Sequence, residues 1–238
     1  MDAYILTLKD KKEVAPGTMH FSFERPEDLD FKPGQYADFS LIDPAYRDNG
    51  GDTRTFSLSS APSDDEIGIT TRMRPSAFKK TLGDMQPGDT IKMSRPMGSF
   101  RLHANEEQPA VFIAGGIGIT PIRSIIRHTA ETNPNRPMIL LHTNRRPEDA
   151  PFADEFNALQ DRNKQFQFVP VVTQPQSDDE GAEQGYITTE MLQKYSDDLN
   201  KPMFYVVGSP RMVGSVLDTL EQNGISPDNI RTEDFGGY

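Results

Sequence analysis

Residues able to do chemistry cluster in a few short stretches of this chain. One reads V-F-I-A-G-G-I-G-I-T-P over 111–121. A short apolar run ends in Gly115 and Gly116, and Gly118 follows. Thr120 and Pro121 then open a segment whose Ile122, Ile125 and Ile126 share one helical face. Pro121 suits the first helical position, where its missing N–H costs nothing. Strand, glycine turn and helix start let a backbone approach a pyrophosphate and aim free N–H groups and a dipole at it. The same residues also make a tight turn with no ligand, and glycine motifs alone do not decide. A second stretch is T-R-M-R-P-S-A-F-K over 71–79. Ser76 is a good N-cap for a short helix over 77–82, with Gly83 placed as its C′ glycine. Arg72 and Arg74 lie just upstream of that helix's free N–H groups, a combination that suits a phosphate. An ordinary capped linker helix is the plain alternative.

These stretches sit in a chain whose composition excludes several functions. At 238 residues, two domains of roughly 100–140 residues are expected. The chain has no cysteine and four scattered histidines. It therefore carries no disulfide, no Cys-ligated iron–sulfur cluster and no thiol nucleophile, and no zinc or other metal site is expected. A formal charge of −11 repels nucleic acid and anionic membrane. No apolar run approaches the ~20 residues of a membrane span. The N-terminus alternates like a strand and lacks a secretory apolar region, so a cytoplasmic location is expected.

The elements that must position the motifs divide the chain in two. Up to about residue 102, Y-I-L-T-L, M-H-F-S-F, Y-A-D-F-S-L, R-T-F-S-L, I-G-I-T-T-R-M and T-I-K-M alternate as strands with one buried face. A-P-G, K-P-G, D-N-G-G-D, A-P-S-D-D and Q-P-G-D punctuate them as turns. Six such strands predict an antiparallel β-barrel or sandwich. Residues 102–109 are polar and mark the junction, giving domains at 1–104 and 105–238. Beyond it, apolar strands (V-F-I-A, M-I-L-L-H-T, F-Q-F-V-P-V-V, M-F-Y-V-V) alternate with helices expected over 121–132, 152–161, 188–195 and 210–223. That alternation predicts a parallel sheet in an α/β domain. Residues 174–185 read as an exposed loop. Ligands of such sheets bind beyond the carboxyl ends of the strands. There His142-Thr143-Asn144-Arg145-Arg146 has no acid before Glu148. An acid would favour the ribose hydroxyl of NAD, whereas Arg145 can pair a 2′-phosphate, so NADPH is favoured over NADH. Arg145 and Arg146 as solvated surface charges are the alternative.

Within this frame R-T-F-S (54–57) resembles the R-x-(Y/F)-(S/T) signature of the ferredoxin–NADP reductase family of flavoproteins. F-K-P-G-Q-Y (31–36), R-P-M-G-S-F (95–100) and the G-G-x-G-x-T-P turn over 115–121 are similar to further family motifs, in the family's order. The resemblance implies that Arg54 holds a flavin phosphate, that Phe56 packs on the isoalloxazine and that Ser57 bonds near the reactive flavin nitrogen. Thr55 lies between them, and Phe56 stands where Tyr is commoner, without its hydroxyl. It implies that Thr71, Arg72, Ser76, Ala77 and Phe78 meet the pyrophosphate. Gly115, Gly116, Gly118, Thr120, Pro121, Asn144, Arg145, Gly208 and Met212 would meet the nicotinamide nucleotide, Thr120 near its ring. Val207-Gly208-Ser209-Pro210-Arg211-Met212 is similar to the family's C-G-P-x-x-M, with Val207 in place of the Cys that contacts nicotinamide. The terminus R-T-E-D-F-G-G-Y puts Glu233 at the family's carboxylate, which serves a hydrogen-bond or proton network. It puts Phe235, or alternatively Tyr238, over the second flavin face. Ser57, Glu233 and Phe235 are thus the candidate catalytic residues.

What the resemblance implies as a whole is an enzyme with FAD and NADPH as cofactors, NADH being possible. It would pass electrons to a separate acceptor protein: a ferredoxin, a flavodoxin or an oxygenase component. A flavin reductase releasing reduced flavin, or a non-catalytic electron-transfer or sensory subunit, would share these motifs. A nicotinamide dehydrogenase acting on an alcohol or acid would explain only the second half. The sequence does not give the oligomeric state.

Overall fold

The computed structural model describes residues 3–176 and 181–236. The first half folds as six antiparallel strands: β1 (Tyr4–Ala15), β2 (Thr18–Glu24), β3 (Tyr36–Leu41), β4 (Thr53–Ser57), β5 (Glu66–Arg72) and β6 (Thr90–Met93). Their order is β4-β3-β6-β1-β2-β5. The sheet curls until its ends meet: just past β4, the Ser59 N–H donates to the Gly68 carbonyl of β5 at 2.8 Å. Inward residues such as Leu6, Phe21, Phe23, Phe39, Ile67 and Ile69 are fully buried and form one core. The alternation read from the sequence is the period-2 signature of this closed wall. All six strands and the barrel were legible on that basis.

The short helix α1 (Ala77–Asp84) lies between β5 and β6, and the Ser76 hydroxyl accepts from the Lys79 N–H as its N-cap. Gly83 is not its C′ glycine: it lies inside the last turn, and Met85 is the C-cap. The Lys11 ammonium holds the longer helix end, donating to the Gly83 and Met85 carbonyls at 2.6 Å each. Such a side-chain donor satisfies the helix's last carbonyls.

The second half contains β7 (Ala110–Gly115), a 3₁₀ turn (Gly116–Gly118), α2 (Ile119–Thr132), β8 (Met138–Asn144), α3 (Ala153–Arg162), β9 (Phe166–Val172), β10 (Glu183–Gln184), α4 (Thr189–Gln193), β11 (Met203–Gly208), α5 (Pro210–Gln222) and β12 (Ile230–Asp234). The sheet is parallel, ordered β10-β9-β8-β7-β11-β12. Both faces are covered. Ala110, Phe112 and Ala114 enter one apolar cluster with α2 and α3, while Val111 and Ile113 enter another with α4 and α5. That two-sided burial is why these strands read as continuous apolar runs.

Several boundaries differ from the sequence reading. Pro121 is the third residue of α2, after Ile119 and Thr120, still within the turn whose N–H groups lack partners. The helix expected over 188–195 is the single short α4, capped by Thr188. Strand β10 lies in the stretch read as loop. β12, I-R-T-E-D, was not expected as a strand, because an edge strand with polar residues lacks the apolar alternation. No helix among the described residues is long and apolar enough to cross a membrane.

Candidate active site

The parallel sheet changes winding direction at β7: β8, β9 and β10 lie on one side, β11 and β12 on the other. Crevices beyond the carboxyl ends of strands at such a switch point are where ligands bind. The 3₁₀ turn after β7 and the start of α5 after β11 both stand there, and they pack closely. A Cβ on Gly118 would lie 2.5 Å from the Val207 carbonyl oxygen, and one on Gly208 would lie 2.7 Å from the Met212 sulfur. Gly116 has φ of +52°, a left-handed conformation that glycine adopts without strain. Its carbonyl accepts from His142 Nε2 at 2.9 Å. A carbonyl only accepts, so Nε2 carries the proton. Burial keeps this imidazole neutral by lowering its pKa to about 4. Asn144 is also buried at this edge, and its Oδ1 has no partner within the protein. Arg145 is exposed beside it, while Arg146 pairs with Glu148 at 3.8 Å.

The barrel and the sheet enclose a cavity of about 460 Å³, within the size range of small-molecule sites. The barrel side is Tyr36, Arg54, Thr55, Phe56, Ser57, Thr70, Thr71 and Lys79. The sheet side is Thr120, Glu233, Asp234, Phe235 and Gly236. Eight sequence-predicted residues therefore converge: Arg54, Thr55, Phe56, Ser57, Thr71, Thr120, Glu233 and Phe235. β12 makes this possible, since its pairing with β11 runs on through the Phe235 N–H, which donates to the Gly208 carbonyl at 2.9 Å. Phe235 and Gly236 are thereby brought to the cavity wall. Tyr238 lies outside the described residues.

Beyond Lys79, which lines both spaces, is a second cavity of about 550 Å³ bordered by Arg47, Asp48, Arg74, Ser76, Ala77 and Lys80. The Ala77 N–H donates to Asp48 Oδ2 at 2.7 Å, and this bond with that from Gly50 holds the Asp48 carboxyl below the usual range. Arg54 reaches the same loop: its Nη1 donates to the Gly50, Gly51 and Thr53 carbonyls, and its guanidinium lies 5.3 Å from the Phe78 ring centre. Desolvation, with Arg74 next, lowers the Lys79 pKa. An acidic chain thus gathers Arg47, Arg54, Arg74, Lys79 and Lys80 around two adjoining cavities, a field that favours an anion.

Some sequence-predicted residues stand elsewhere. Phe78 is fully buried in the barrel core behind Phe56, with ring centres 5.8 Å apart, so it supports the wall and does not line it. Arg72 is partly exposed, and its carbonyl accepts from the Lys79 ammonium at 2.6 Å. Gly115, Gly116, Gly118, Pro121, Asn144, Arg145, Gly208 and Met212 line neither cavity and form the turn and strand ends beside the first. The Thr120 hydroxyl donates to the Ile117 carbonyl of its own turn at 3.1 Å. Val207 is wholly buried in the sheet's apolar cluster, where it packs and does not shape the cavity surface.

Tyr36, Thr70, Lys79, Asp234 and Gly236 were not nominated from sequence. Tyr36 had a signal, as the last residue of F-K-P-G-Q-Y. Gly98 of R-P-M-G-S-F, with φ of +103°, leaves room for its ring: a Cβ there would lie 2.8 Å from Tyr36 Cε1. The two motifs thus meet, and Tyr36 also exchanges both backbone hydrogen bonds with Met97.

Glu233 is the most perturbed acid of the cleft. Its Oε2 is buried with no hydrogen-bond partner among the described residues, and desolvation, with Asp234 second, raises its pKa to about 7. The folded state then holds this proton between about pH 4.5 and 7, while the unfolded chain has lost it. Stability contributed by this site therefore falls as pH rises through that window. Glu233→Gln is expected to flatten the decline, which thermal melts of both proteins across pH 4.5–7 would read. Parallel curves would show that Glu233 is not the group.

A barrel joined to a doubly wound sheet, with a cleft at the switch point, is an architecture with room for a nucleotide where its two halves meet. Residues 112–218 match the family model described as oxidoreductase NAD-binding domain. The propane 2-monooxygenase reductase component of Mycolicibacterium goodii is 32% identical over 217 residues, covering 88% of this chain and 60% of that protein. Among solved structures, a ferredoxin NADP⁺ reductase from Neisseria gonorrhoeae with bound FAD and NADP superposes with a TM-score of 0.81 at 24% identity, covering 98% of each chain. The flavohem-like FAD/NAD-binding domain of nitric oxide dioxygenase from Vibrio cholerae O1 biovar El Tor gives a TM-score of 0.84 at 23% identity, again covering 98% of each. By these likenesses the chain resembles the ferredoxin–NADP reductase-like family. It spans about 60% of the length of the propane monooxygenase reductases it matches.

Proposed function

We propose that this protein is a flavoprotein reductase: it takes a hydride from NAD(P)H onto FAD bound in the cleft, and passes electrons on to a separate acceptor protein such as an oxygenase component. The domain division at 104/105 falls in the segment that joins barrel and sheet, so each nucleotide has its own domain and the two meet at the interface. The carrying observation is the cavity itself, where Phe56 and Ser57 of the barrel face Glu233 and Phe235 of the sheet's last strand. Its size, the cations beside it and the partnerless Glu233 oxygen fit a flavin better than a purely apolar ligand. FAD would supply the ability to accept a hydride and release electrons one at a time. The protein's part is placement. Arg54 would grip a phosphate with its further donors, Phe56 would flank the ring, and Ser57 would steady the edge where charge develops. Glu233, near neutrality, can hold or give a proton at physiological pH. Any iron–sulfur centre in the onward transfer has no cysteine ligand from this chain. The relatives' reductase components support the oxygenase as acceptor class, and a cytoplasmic site of action is part of this reading.

Arg54→Ala is expected to weaken FAD binding by about 1.5–3 kcal/mol, the value of a charge-assisted hydrogen bond. That is roughly ten- to hundredfold in Kd, readable by titrating apoprotein with FAD and following flavin fluorescence. Wild-type protein should keep its flavin through gel filtration. Loss of flavin there would support the reading in which flavin is a substrate, and an unchanged Kd in the variant would remove Arg54 from the phosphate site.

A further inference from the structure

Helix α2, which begins at the nucleotide turn, lies against the segment 59–64 that leaves β4 just after Ser57, and the two are bonded in register. Arg123 Nη1 donates to the Ser59 carbonyl at 2.6 Å, and the Ser124 hydroxyl donates to the Ser60 carbonyl at 2.6 Å. One turn on, Arg127 Nη2 donates to Asp64 Oδ1 at 2.7 Å. A further turn on, Glu131 accepts from the Ser63 hydroxyl. The other edge of the segment is fixed to β5, with Ser59 N–H on the Gly68 carbonyl and Ser60 Oγ accepting from the Gly68 N–H at 3.0 Å.

Each nitrogen of the Arg123 guanidinium already donates to a protein partner. Its Nε and Nη2 are taken by the Glu155 carboxylate of α3 at 2.7–3.1 Å. Its guanidinium lies 4.2 Å from the centre of the Phe152 ring. Phe152 holds φ of +64°, a left-handed conformation that costs a bulky residue energy, and its ring also stands at 88° to that of His20, with centroids 5.6 Å apart. Arg123 is only 7% exposed and Ser124 is fully buried. A buried ion pair adds little net stability over an apolar substitute. Geometry, more than energy, is what this cluster can supply.

We propose that Arg123 and Ser124 are positioning residues for hydride transfer, a clamp that sets the distance between the flavin edge held at Ser57 and the nicotinamide held at the turn before Thr120. This rests on the proposed reductase reading. Ser59 is two residues beyond Ser57, about 7 Å of strand, and Arg123 is three beyond Thr120, about 4.5 Å of helix. The clamp is therefore a short covalent and hydrogen-bonded link between the two sides. Small misplacements of reacting atoms cost large factors in rate, so a link this short would be felt in transfer before it is felt in binding.

The test uses FAD-loaded protein carrying Arg123→Met, Arg123→Lys or Ser124→Ala, mixed anaerobically with NADPH in a stopped-flow instrument. For Arg123→Met the limiting reduction rate should fall tenfold or more and the long-wavelength nicotinamide–flavin charge-transfer band should fade. The Kd for FAD should stay within twofold of wild type, and Arg123→Lys should recover part of the rate. Amide hydrogen exchange of 59–64, measured without NADPH, should accelerate in Arg123→Met and Ser124→Ala. An unchanged rate, or a rate that falls only in proportion to FAD binding, overturns the proposal. So does unchanged exchange at 59–64. Should wild-type protein bind FAD but resist reduction, the reductase reading and the positioning role fail together, while accelerated exchange would still show that Arg123 holds the segment. If Arg123→Met does not fold, Arg123→Lys and Ser124→Ala decide by the same criteria.

Discussion

Gly118→Ala is expected to lose most of its nicotinamide affinity and about 2–3 kcal/mol of stability, while FAD binding by the barrel survives. The added Cβ would lie 2.5 Å from the Val207 carbonyl oxygen and 2.8 Å from its carbon. Both are backbone atoms of a central strand bonded to β7 on one side and β12 on the other. They cannot rotate away as a flexible side chain would, so the turn must lift from the strand ends. Overpacking of this kind typically costs about 1–3 kcal/mol, and here it would displace the N–H groups that the proposed function gives to the nucleotide. Gly116→Ala is the control. Its φ of +52° makes alanine strained, but the nearest atom to a Cβ is Asn144 Oδ1 at 3.9 Å, so about 1–2 kcal/mol is expected without displacement. Denaturant melts and equilibrium binding of NADPH to both variants would check the contrast. Equal effects would mean that close approach to β11 is not what requires glycine at 118.

Gly34→Ala should destabilise the whole molecule by about 4 kcal/mol, with two causes at one position. Gly34 has φ of +90°, and a Cβ there would meet the Phe100 carbonyl oxygen at 2.0 Å and Ile125 Cδ1 at 3.0 Å. Left-handed strain contributes about 1–3 kcal/mol and the clash about as much again. Phe100 and Ile125 belong to the cluster beneath the second sheet, so the damage falls where barrel and sheet meet. Urea unfolding should show a lowered midpoint, and a loss under 1 kcal/mol would contradict the contact geometry.

The K-P-G of 32–34 was legible only as a turn. That its glycine is needed for contact between the halves depends on Phe100 and Ile125, 66 and 91 residues away, and no local pattern encodes them. The same limit explains the clamp. A-P-S-D-D read as punctuation after R-T-F-S-L, and nothing in the sequence pairs 59–64 with α2. The barrel strands and the four long strands of the sheet were legible because burial on one or two faces writes its period into the sequence. β12 was not, because it is an edge strand of polar residues held by pairing rather than by apolar packing. Glu233 was nominated through resemblance alone. Its raised pKa follows from the burial that β12 and the tail impose, which residue order does not disclose. Lys79 carried no such signal either: its bond to the Arg72 carbonyl and its place between the two cavities follow from the fold.

Anaerobic titration of the FAD-loaded protein with NADPH, and in parallel with NADH, tests the central claim most directly. Stoichiometric bleaching of the flavin's visible absorbance is the predicted result, with NADPH the more effective if Arg145 meets a 2′-phosphate. Flavin that binds in the cleft but stays oxidised under excess of either nucleotide would contradict the account.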